Sequence, residues 1–431
     1  MNEIWASIAL IIVLFALLGG GVWVGLTLAG VAWFGMEFFS SRAAGDAMAI
    51  TIWGGASSWT LTALPLFIWM GEILYRTNLS ENLFRGLAPW VNRLPGRLLH
   101  TNVLGCTIFA SVCGSSAATC VTVGRMNLPE LRRRGYPDAQ IIGSLGGPAT
   151  LGLLIPPSII LIVYGVAAET SIAKLFIAGV IPGLLLAMLF SGWIAGWALL
   201  HPDRVPESAS GLSLTEKLRE SRQLIPVLLL ILGVIASIYS GVATATESAA
   251  IGVLGAFILS AWQKTLTWKS FRESLLGATR LYCMIALILS GATFMTLSMG
   301  YIGLPRQLAE FVGGLNLSPG MLIVALGIFY IILGCFLDGI STIVLTMGVV
   351  LPIIQAAGID PIWFGIFLVI TVETAQITPP VGFNLFVLQS MTGKEITYLA
   401  RVCGPYFGLM MLLLIVMWYF PGLATWLPGH M

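Results

Sequence analysis

Apolar segments long enough to cross a membrane alternate with short polar loops along almost the whole chain. A helix of about 20 residues crosses the hydrocarbon core of a bilayer. By this rule we place spans near residues 5–18, 20–38, 49–75, 139–166 and 173–200, then near 223–241, 243–262, 281–300, 363–390 and 399–420. The pattern predicts an all-α polytopic membrane protein with five spans in each half.

Two further apolar stretches contain a polar interruption near their middle. Residues 101–128 are interrupted at Gly114-Ser115-Ser116, and residues 320–350 are interrupted at Asp338-Gly339. Each apolar arm has about 13 residues, which is too short to cross the membrane alone. We therefore predict two re-entrant helical hairpins whose polar tips lie at membrane depth and face protein or water.

The spans that follow the hairpins contain helix-breaking residues. The span at 139–166 includes Gly147, Gly152 and Pro156-Pro157, and the span at 363–390 includes Pro379-Pro380. Such residues interrupt the helical hydrogen-bond ladder and leave backbone carbonyls and amides free. We predict that both spans are broken inside the membrane.

The two halves form an internal repeat with a constant offset of 223 residues. This offset maps Pro129 onto Pro352 and Pro156-Pro157 onto Pro379-Pro380 without a gap. Prolines are few and fix the backbone, so these coincidences indicate a genuine repeat. The polar stretch 201–222 separates the halves. Five crossings per half is an odd number, which predicts opposite orientations, that is, inverted-topology repeats.

The distribution of basic residues indicates which side each hairpin faces. Arg132-Arg133-Arg134 follows the first hairpin, whereas the equivalent positions after the second hairpin are Gln355-Ala356-Ala357. Cytoplasmic loops near helix ends collect Lys and Arg. We therefore expect the first hairpin to open from the cytoplasm, the second to open from the outer face, and both termini to lie outside.

Composition excludes several functional classes. The 431 residues are 58% hydrophobic and 9% charged with a net charge of +2, so the bilayer is the expected partner and nucleic acid is not. The six cysteines lie in apolar runs without a CxxC motif, which favours buried side chains over disulfides or metal ligands. No cleavable signal peptide is evident. No nucleophile motif or phosphate loop is visible, so we expect no enzymatic activity.

The hairpin tips and the breaks carry the candidate binding residues. Helix N-termini attract anions, while free carbonyls and hydroxyls suit a hard cation such as Na⁺. The candidate substrate ligands are Ser115, Ser116, Thr150, Ser341 and Asn384. The candidate Na⁺ ligands are Ser115, Ser116, Gly147, Thr150, Asp338, Gly339, Thr378 and Gly382. The alternative for each hydroxyl is a hydrogen bond to its own helix.

Three carboxylates lie in apolar sequence. Asp338, at the tip of the second hairpin, is expected either to complete an oxygen cage for Na⁺ or to cap a helix. Glu247 and Glu373 are the others, and each has the alternative of lying near an interface or capping a helix start.

Several motifs together carry a family resemblance. The chain resembles the large membrane subunit of tripartite ATP-independent periplasmic (TRAP) transporters, within the wider ion-transporter superfamily, over essentially its whole length. The motifs are Gly114-Ser115-Ser116-Ala117-Ala118-Thr119, Leu128-Pro129-Glu130-Leu131-Arg132-Arg133-Arg134-Gly135-Tyr136, Leu151-Gly152-Leu153-Leu154-Ile155-Pro156-Pro157-Ser158 and Ala245-Thr246-Glu247-Ser248-Ala249-Ala250.

The resemblance implies a Na⁺-driven secondary transporter of the bacterial inner membrane with an elevator mechanism. The implied substrate is a small organic anion such as a C4-dicarboxylate, a 2-keto acid or a sialic acid. The implied partners are a small four-helix membrane subunit and a periplasmic substrate-binding protein. The expected scaffold comprises residues 1–98 and 201–300, and the expected transport domain comprises residues 99–200 and 301–431.

Two alternative functions remain open on the sequence. A stand-alone ion-coupled carrier for dicarboxylates or oxyanions would share the inverted hairpins but need no soluble partner. An intramembrane enzyme or assembly scaffold would need histidines or acids directed at one bond, and no such pattern is visible in the sequence.

Overall fold

The protein is helical wherever its structure is described. The computed structural model describes residues 2–77, 79–206, 213–222, 224–314 and 317–431. These ranges contain α-helices and short 3₁₀ turns but no β-strand. The all-α prediction is confirmed for this part of the chain.

The helices fall into two successive sets. The first set is α1 (Asn2–Gly19), α2 (Val24–Phe39), α3 (Ala44–Ala56), α4 (Ala63–Tyr75), α5 (Leu79–Val91), α6 (His100–Cys113), α7 (Ser116–Arg133), α8 (Asp138–Ala149), α9 (Ile159–Ala167) and α10 (Ile172–Leu200). The second set is α11 (Leu214–Ser221), α12 (Ile225–Tyr239), α13 (Ala245–Trp262), α14 (Trp268–Ile302), α15 (Leu304–Gly314), α16 (Pro319–Gly334), α17 (Gly339–Ala356), α18 (Pro361–Gln376), α19 (Phe383–Thr392), α20 (Ile396–Tyr419) and α21 (Gly422–Thr425). The 3₁₀ turns lie at Trp59–Thr62, Arg97–Leu99, Thr150–Leu153, Pro202–Arg204 and Pro428–His430.

Several of these helices have the length and composition of membrane spans. Within the described residues, α10, α13, α14, α17 and α20 are individually long and apolar enough to cross a bilayer. Shorter apolar helices, including α2, α16 and α18, supplement them. The chain is therefore a multi-pass membrane protein.

The hairpins and the third span of the second half differ from the predicted bounds. The returning hairpin arms α7 and α17 each have 18 residues, so they are longer than the expected arm. Helix α14 starts at Trp268 and not near residue 281. The prediction missed its first turns because Lys269, Arg272 and Arg280 interrupt the apolar run there. Thr267 and Ser270 form a capping box that starts the helix.

The prediction missed four shorter helices, α5, α11, α15 and α21, and it placed one span at 49–75 where the structure has two helices, α3 and α4. Helices α5 and α15 precede the two hairpins, and α11 lies in the polar stretch between the halves. Helix α11 packs on α5, where the Trp90 indole N–H donates to Ser221 Oγ at 2.7 Å and Ser221 Oγ donates to the Gly86 carbonyl at 2.8 Å. The Lys217 ammonium lies 5.8 Å from the Trp90 ring centroid. These amphipathic helices lack the continuous apolar run that marks a span.

The offset of 223 residues recurs in the local structure. Helices α7 and α17 start at Ser116 and Gly339 and end at Arg133 and Ala356, so both ends differ by this offset. Each arm starts after a capping residue whose carbonyl accepts a hydrogen bond from a threonine hydroxyl. The distances are 2.7 Å for Thr119 to Ser115 and 2.9 Å for Thr342 to Asp338. The repeated sequence thus builds the same helix start twice.

The helices of the two halves pack against one another in two groups. One group includes the packing of α2 on α14 and of α4 on α13. In the other group, α7 packs on α19 and α9 packs on α17. Each returning hairpin arm thereby contacts a half-helix from the opposite half of the chain. Any site at the hairpin tips consequently contains residues from both halves.

Candidate functional site

The tip of the first hairpin lies in the break of its own half. This first break comprises residues 150–158, between α8 and α9. A Cβ atom on Gly152 would lie 2.6 Å from Cα of Ser116, so only glycine permits this approach. At the turn itself, Gly114 has φ of 58° and faces Ile159 at the start of α9. The break therefore forms a close backbone contact with the hairpin tip.

The tip of the second hairpin lies in the equivalent second break, residues 377–382, between α18 and α19. The Gly382 N–H donates to the Cys335 carbonyl at 3.3 Å. The Gln376 side-chain amide donates to the Gly334 carbonyl at 3.4 Å. Both predicted breaks are present, and each contacts its own hairpin.

Backbone carbonyls converge inside the second break. Gly382 has φ of 53°, and a Cβ atom there would lie 2.7 Å from the Thr378 carbonyl oxygen and 3.1 Å from that of Gln376. A side chain would fill this space and also strain the backbone. The geometry leaves carbonyl oxygens close together, which is the kind of ligand that Na⁺ accepts.

The two tips approach one another across α18. A Cβ atom on Gly339, in the second tip, would lie 2.8 Å from Ile160 Cδ1 of α9 and 3.2 Å from Val372 Cγ1 of α18. The next residue, Glu373, lies close enough to Ser116 of the first tip to interact with it. The N-termini of α7 and α17 therefore both lie next to one short segment of α18, Val372-Glu373.

The tip residues predicted to bind ligands act as helix caps in this structure. The Ser115 hydroxyl accepts a hydrogen bond from the Ala118 N–H at 3.4 Å. The Asp338 carboxylate is exposed and accepts from the N–H groups of Ile340 and Ser341 at 3.1 and 3.2 Å. Asp338 therefore caps a helix, as one of the two alternatives proposed. Binding of Na⁺ by Asp338 stays a prediction.

The threonine hydroxyls of the breaks form hydrogen bonds with their own helices, which was the alternative to ligand binding considered for them. Thr150 Oγ1 donates to the Gly147 carbonyl at 2.5 Å, and Thr378 Oγ1 donates to the Thr374 carbonyl at 2.7 Å. Each hydroxyl oxygen retains lone pairs, so these bonds do not prevent it from binding a cation.

Two buried polar side chains at the site have no hydrogen-bond partner in the described structure. Asn384 is fully buried, and neither atom of its amide group is bonded. Glu373 is 1% exposed, and neither carboxylate oxygen is bonded. Buried polar groups are almost always paired, so both side chains indicate a ligand-binding role. Asn384 was among the predicted ligands, but Glu373 was not.

Glu373 and Glu247 differ in their surroundings. Glu373 lies in the last turns of α18, far from the start of that helix, so it does not cap a helix start. Glu247 is exposed and forms a capping box with Thr244, accepting from its N–H at 2.8 Å. For Glu247 the alternative of capping a helix start is confirmed. Spacing could have identified Glu373, because it lies five residues before Thr378 in the second break.

One cavity with charged side chains lies beside the first hairpin, and another lies between the end of α9 and the start of α13. One has a volume of about 520 Å³ and is lined by α4, α7 and α14, with Arg76, Arg125 and Lys269 among its side chains. The other has a volume of about 630 Å³ and is lined by Trp59, Glu169 and Thr244, among others. Within the described residues no cluster of three or more His, Cys, Asp or Glu side chains could hold a metal ion.

Paired hairpins, paired broken helices and buried unpartnered polar groups together define a transporter-like membrane protein. Residues 11–423 match the family model described as the tripartite ATP-independent periplasmic transporter, DctM component. The chain belongs to this family, which confirms the resemblance.

Several relatives match most of this chain. The C4-dicarboxylate TRAP transporter large permease protein DctM of Pseudomonas aeruginosa is 33% identical over 89% of this chain and 89% of its own length. The sialic acid permease SiaM of Vibrio cholerae is 29% identical over 87% of each chain. The ectoine/5-hydroxyectoine permease UehC of Ruegeria pomeroyi is 30% identical over 98% of each. These relatives are transport permeases, so the family is one of transporters and not of enzymes.

A solved structure shares the fold. The YdaH transporter of Alcanivorax borkumensis aligns with a TM-score of 0.63 over 88% of this chain and 87% of its own, with 12% sequence identity. At this identity the likeness concerns the fold alone.

Proposed function

We propose that this chain is the large membrane subunit of a Na⁺-coupled TRAP transporter that imports a small organic anion. The observation that carries the proposal is the arrangement of the hairpin tips, each in contact with its own break and both next to the segment Val372-Glu373 of α18. Helix N-termini favour an anion there, and the carbonyls near Gly382 favour a cation. Anion and Na⁺ would therefore bind close together.

Cooperation between ion and substrate follows from electrostatics. Two unit negative charges about 4 Å apart repel by roughly 4 kcal/mol at an effective dielectric constant of about 20. A carboxylate substrate beside Asp338 or Glu373 would meet such repulsion. Na⁺ bound between the charges turns repulsion into attraction, so each ligand raises the affinity for the other.

The proposed movement is an elevator. Residues 1–98 and 201–300 would form the scaffold, and residues 99–200 and 301–431 would form the moving transport domain. The packing of α2 with α14 inside the proposed scaffold and of α7 with α19 inside the proposed transport domain supports this division, while α14 also contacts α17 across it. The amphipathic helices α5 and α15 would connect the two domains, since each lies between a scaffold helix and a hairpin.

The proposed partners are a small four-helix membrane subunit and a periplasmic substrate-binding protein. The isethionate permease DctMQ of Oleidesulfovibrio alaskensis supports these partners. It is 29% identical to this chain, and the alignment covers 96% of this chain but only 65% of that permease. The remaining third of that permease is where a fused second subunit would be expected. The proposed location is the bacterial inner membrane, with both termini in the periplasm and the hairpins opening to opposite sides.

The experiment is reconstitution into liposomes. The chain alone should not accumulate substrate, whereas the chain with the small subunit, the binding protein and an inward Na⁺ gradient should. The first probes are succinate and sialic acid, because relatives named for C4-dicarboxylate and sialic acid match this chain. A K⁺ gradient of equal size is the control. Strong uptake by the lone chain would instead support the stand-alone carrier, which the fold shared with the YdaH transporter also allows.

A further inference from the structure

Glu373 is a carboxylate in surroundings that provide no partner for its charge. It is 1% exposed, and neither of its oxygens accepts a hydrogen bond. Among the ion pairs of the described residues, none involves Glu373. An ionised carboxylate in such a place is strongly unfavourable unless a positive charge accompanies it.

The position of Glu373 suggests where that positive charge would lie. Ser116, at the start of α7, is the side chain that interacts with Glu373, although the pair lacks hydrogen-bond geometry. The preceding residue, Val372, packs against Gly339 at the start of α17. The carboxylate thus lies beside the first hairpin tip with a hydroxyl oxygen close to it, on a segment of α18 that also contacts the second tip.

We propose that Glu373 and Ser116 bind a Na⁺ ion at the first hairpin tip, on the segment of α18 that reaches the second tip through Val372, separate from the ligands predicted around Asp338. Carboxylate and hydroxyl oxygens are ligands that a hard cation prefers. The inference rests on the proposed function and adds one specific coupling-ion site to it. The Asp338 carboxylate differs because it is exposed and already accepts two backbone hydrogen bonds.

The repeat indicates that this ion site occurs once. The offset of 223 residues places Thr150 at the position equivalent to Glu373. Thr150 has no charge, and its hydroxyl donates to the Gly147 carbonyl. The second half therefore contributes a charged ligand that the first half lacks.

The test measures the thermal stability of the full chain in detergent as NaCl replaces choline chloride at constant ionic strength. A ligand that binds only the folded state raises Tm, and the slope of Tm against the logarithm of its concentration reflects the number of ions bound. We expect Glu373→Gln to have a smaller slope than the wild type, by one ion. Glu247→Gln is the matched control because its carboxylate is exposed, and it should keep the wild-type slope.

The same variant provides a second signature in Na⁺-free buffer. There, Glu373→Gln removes a buried charge without a partner, so its Tm should equal or exceed that of the wild type. Its Tm should then fall below the wild-type value in high NaCl. Ser116→Ala retains the charge and should raise the Na⁺ concentration for half of the Tm shift by roughly tenfold.

Each result has a defined meaning. If the wild type responds to Na⁺ and Glu373→Gln responds with the same slope, the Glu373 site is wrong while Na⁺ coupling stands. A wild type without any Na⁺ response contradicts both. If Glu373→Gln does not fold, Ser116→Ala decides, and an unchanged half-point in that variant overturns the site.

Discussion

The two hairpins start alike but are held in different ways. Beneath the first hairpin, the Asn127 amide donates to Asn102 Oδ1 at 2.6 Å, and the Asn102 amide donates to Ser144 Oγ at 2.9 Å, which joins α6, α7 and α8. The repeat places Ala325, Val350 and Phe367 at these positions in the second half. Directional amide bonds thus join the first hairpin to α8 at positions that are apolar in the second hairpin.

The outer arms of the hairpins differ in burial as well. Most of α6 is buried, whereas the buried residues of α16 are Leu322, Ile323, Tyr330 and Gly334. Apolar side chains on the opposite face of α16, such as Ile328 and Ile332, are more than half exposed. We expect the first hairpin to move with α8 as one rigid unit and the second to shift more readily. On this expectation, the repeat preserves the shape of the tips but not their stiffness.

The largest expected difference between the hairpins concerns the side of the membrane that their loops face. Arg133→Cys, after the first hairpin, should be labelled only from the cytoplasm, and Ala357→Cys, after the second, only from outside. The charge distribution motivates this expectation. Labelling uses a membrane-impermeant maleimide on intact cells and on inverted vesicles, with the exposed Cys283 replaced by serine. Labelling of both positions from one side would contradict the inverted repeat.

The next effect concerns the capping residue of the second tip. Asp338→Asn should keep the helix cap and the fold but remove a negative charge, so the Na⁺ concentration for half-maximal uptake should rise or uptake should cease. The measurement is uptake against Na⁺ in proteoliposomes. Asp360→Asn is the matched control, because Asp360 caps α18 in the same way, accepting from Ile362 N–H at 2.6 Å. An unchanged Na⁺ dependence of Asp338→Asn would leave Asp338 as a helix cap only.

A smaller effect concerns the amide network of the first hairpin. Asn127→Val copies Val350 and leaves the buried Asn102 carbonyl without this donor, which should cost about 2 kcal/mol of stability. The second substitution, Asn102→Ala, copies Ala325. In the Asn127→Val background it should lower the stability by less than it does alone, because the hydrogen bond between the two side chains is already lost. Thermal unfolding of the single and double variants measures this coupling. Strictly additive losses would show that the amides do not act as a network.

The smallest effect concerns the second hairpin. The Tyr330 hydroxyl lies 2.7 Å from Thr346 Oγ1 and joins α16 to α17. Tyr330→Phe should cost only about 0.5–1 kcal/mol, because Thr346 also bonds to the Thr342 carbonyl at 2.9 Å. Thermal unfolding measures it, with Tyr239→Phe at an exposed position as the control. A loss as large as that of Asn127→Val would remove the difference in stiffness between the hairpins.

The sequence was sufficient for features that depend on local signals. Proline and glycine identified both breaks, and the polar tips identified both hairpins, because these residues act on the backbone where they stand. It was not sufficient for α5, α11 and α15, whose amphipathic pattern contains no continuous apolar run. Charges near residue 270 likewise concealed the first turns of α14.

The candidate site was predicted only in part for a related reason. The sequence located Ser115, Asp338 and Asn384 at the tips and at the second break, but it could not indicate which polar groups end up buried. Asp338 is exposed, while Glu373 is almost fully buried. The burial of Glu373 depends on the packing of α18 against helices distant in sequence, which no local pattern records.

The packing of α7 on α19 and of α9 on α17 has a consequence for biosynthesis. During translation, the first hairpin and its break leave the ribosome long before α19 and α17 exist to cover them. The polar first tip must therefore wait in the membrane without its final neighbours, and the central contacts close only when almost the whole chain has been inserted. A protein built in this way is completed late, so we expect its early half to depend on the membrane-insertion machinery for protection.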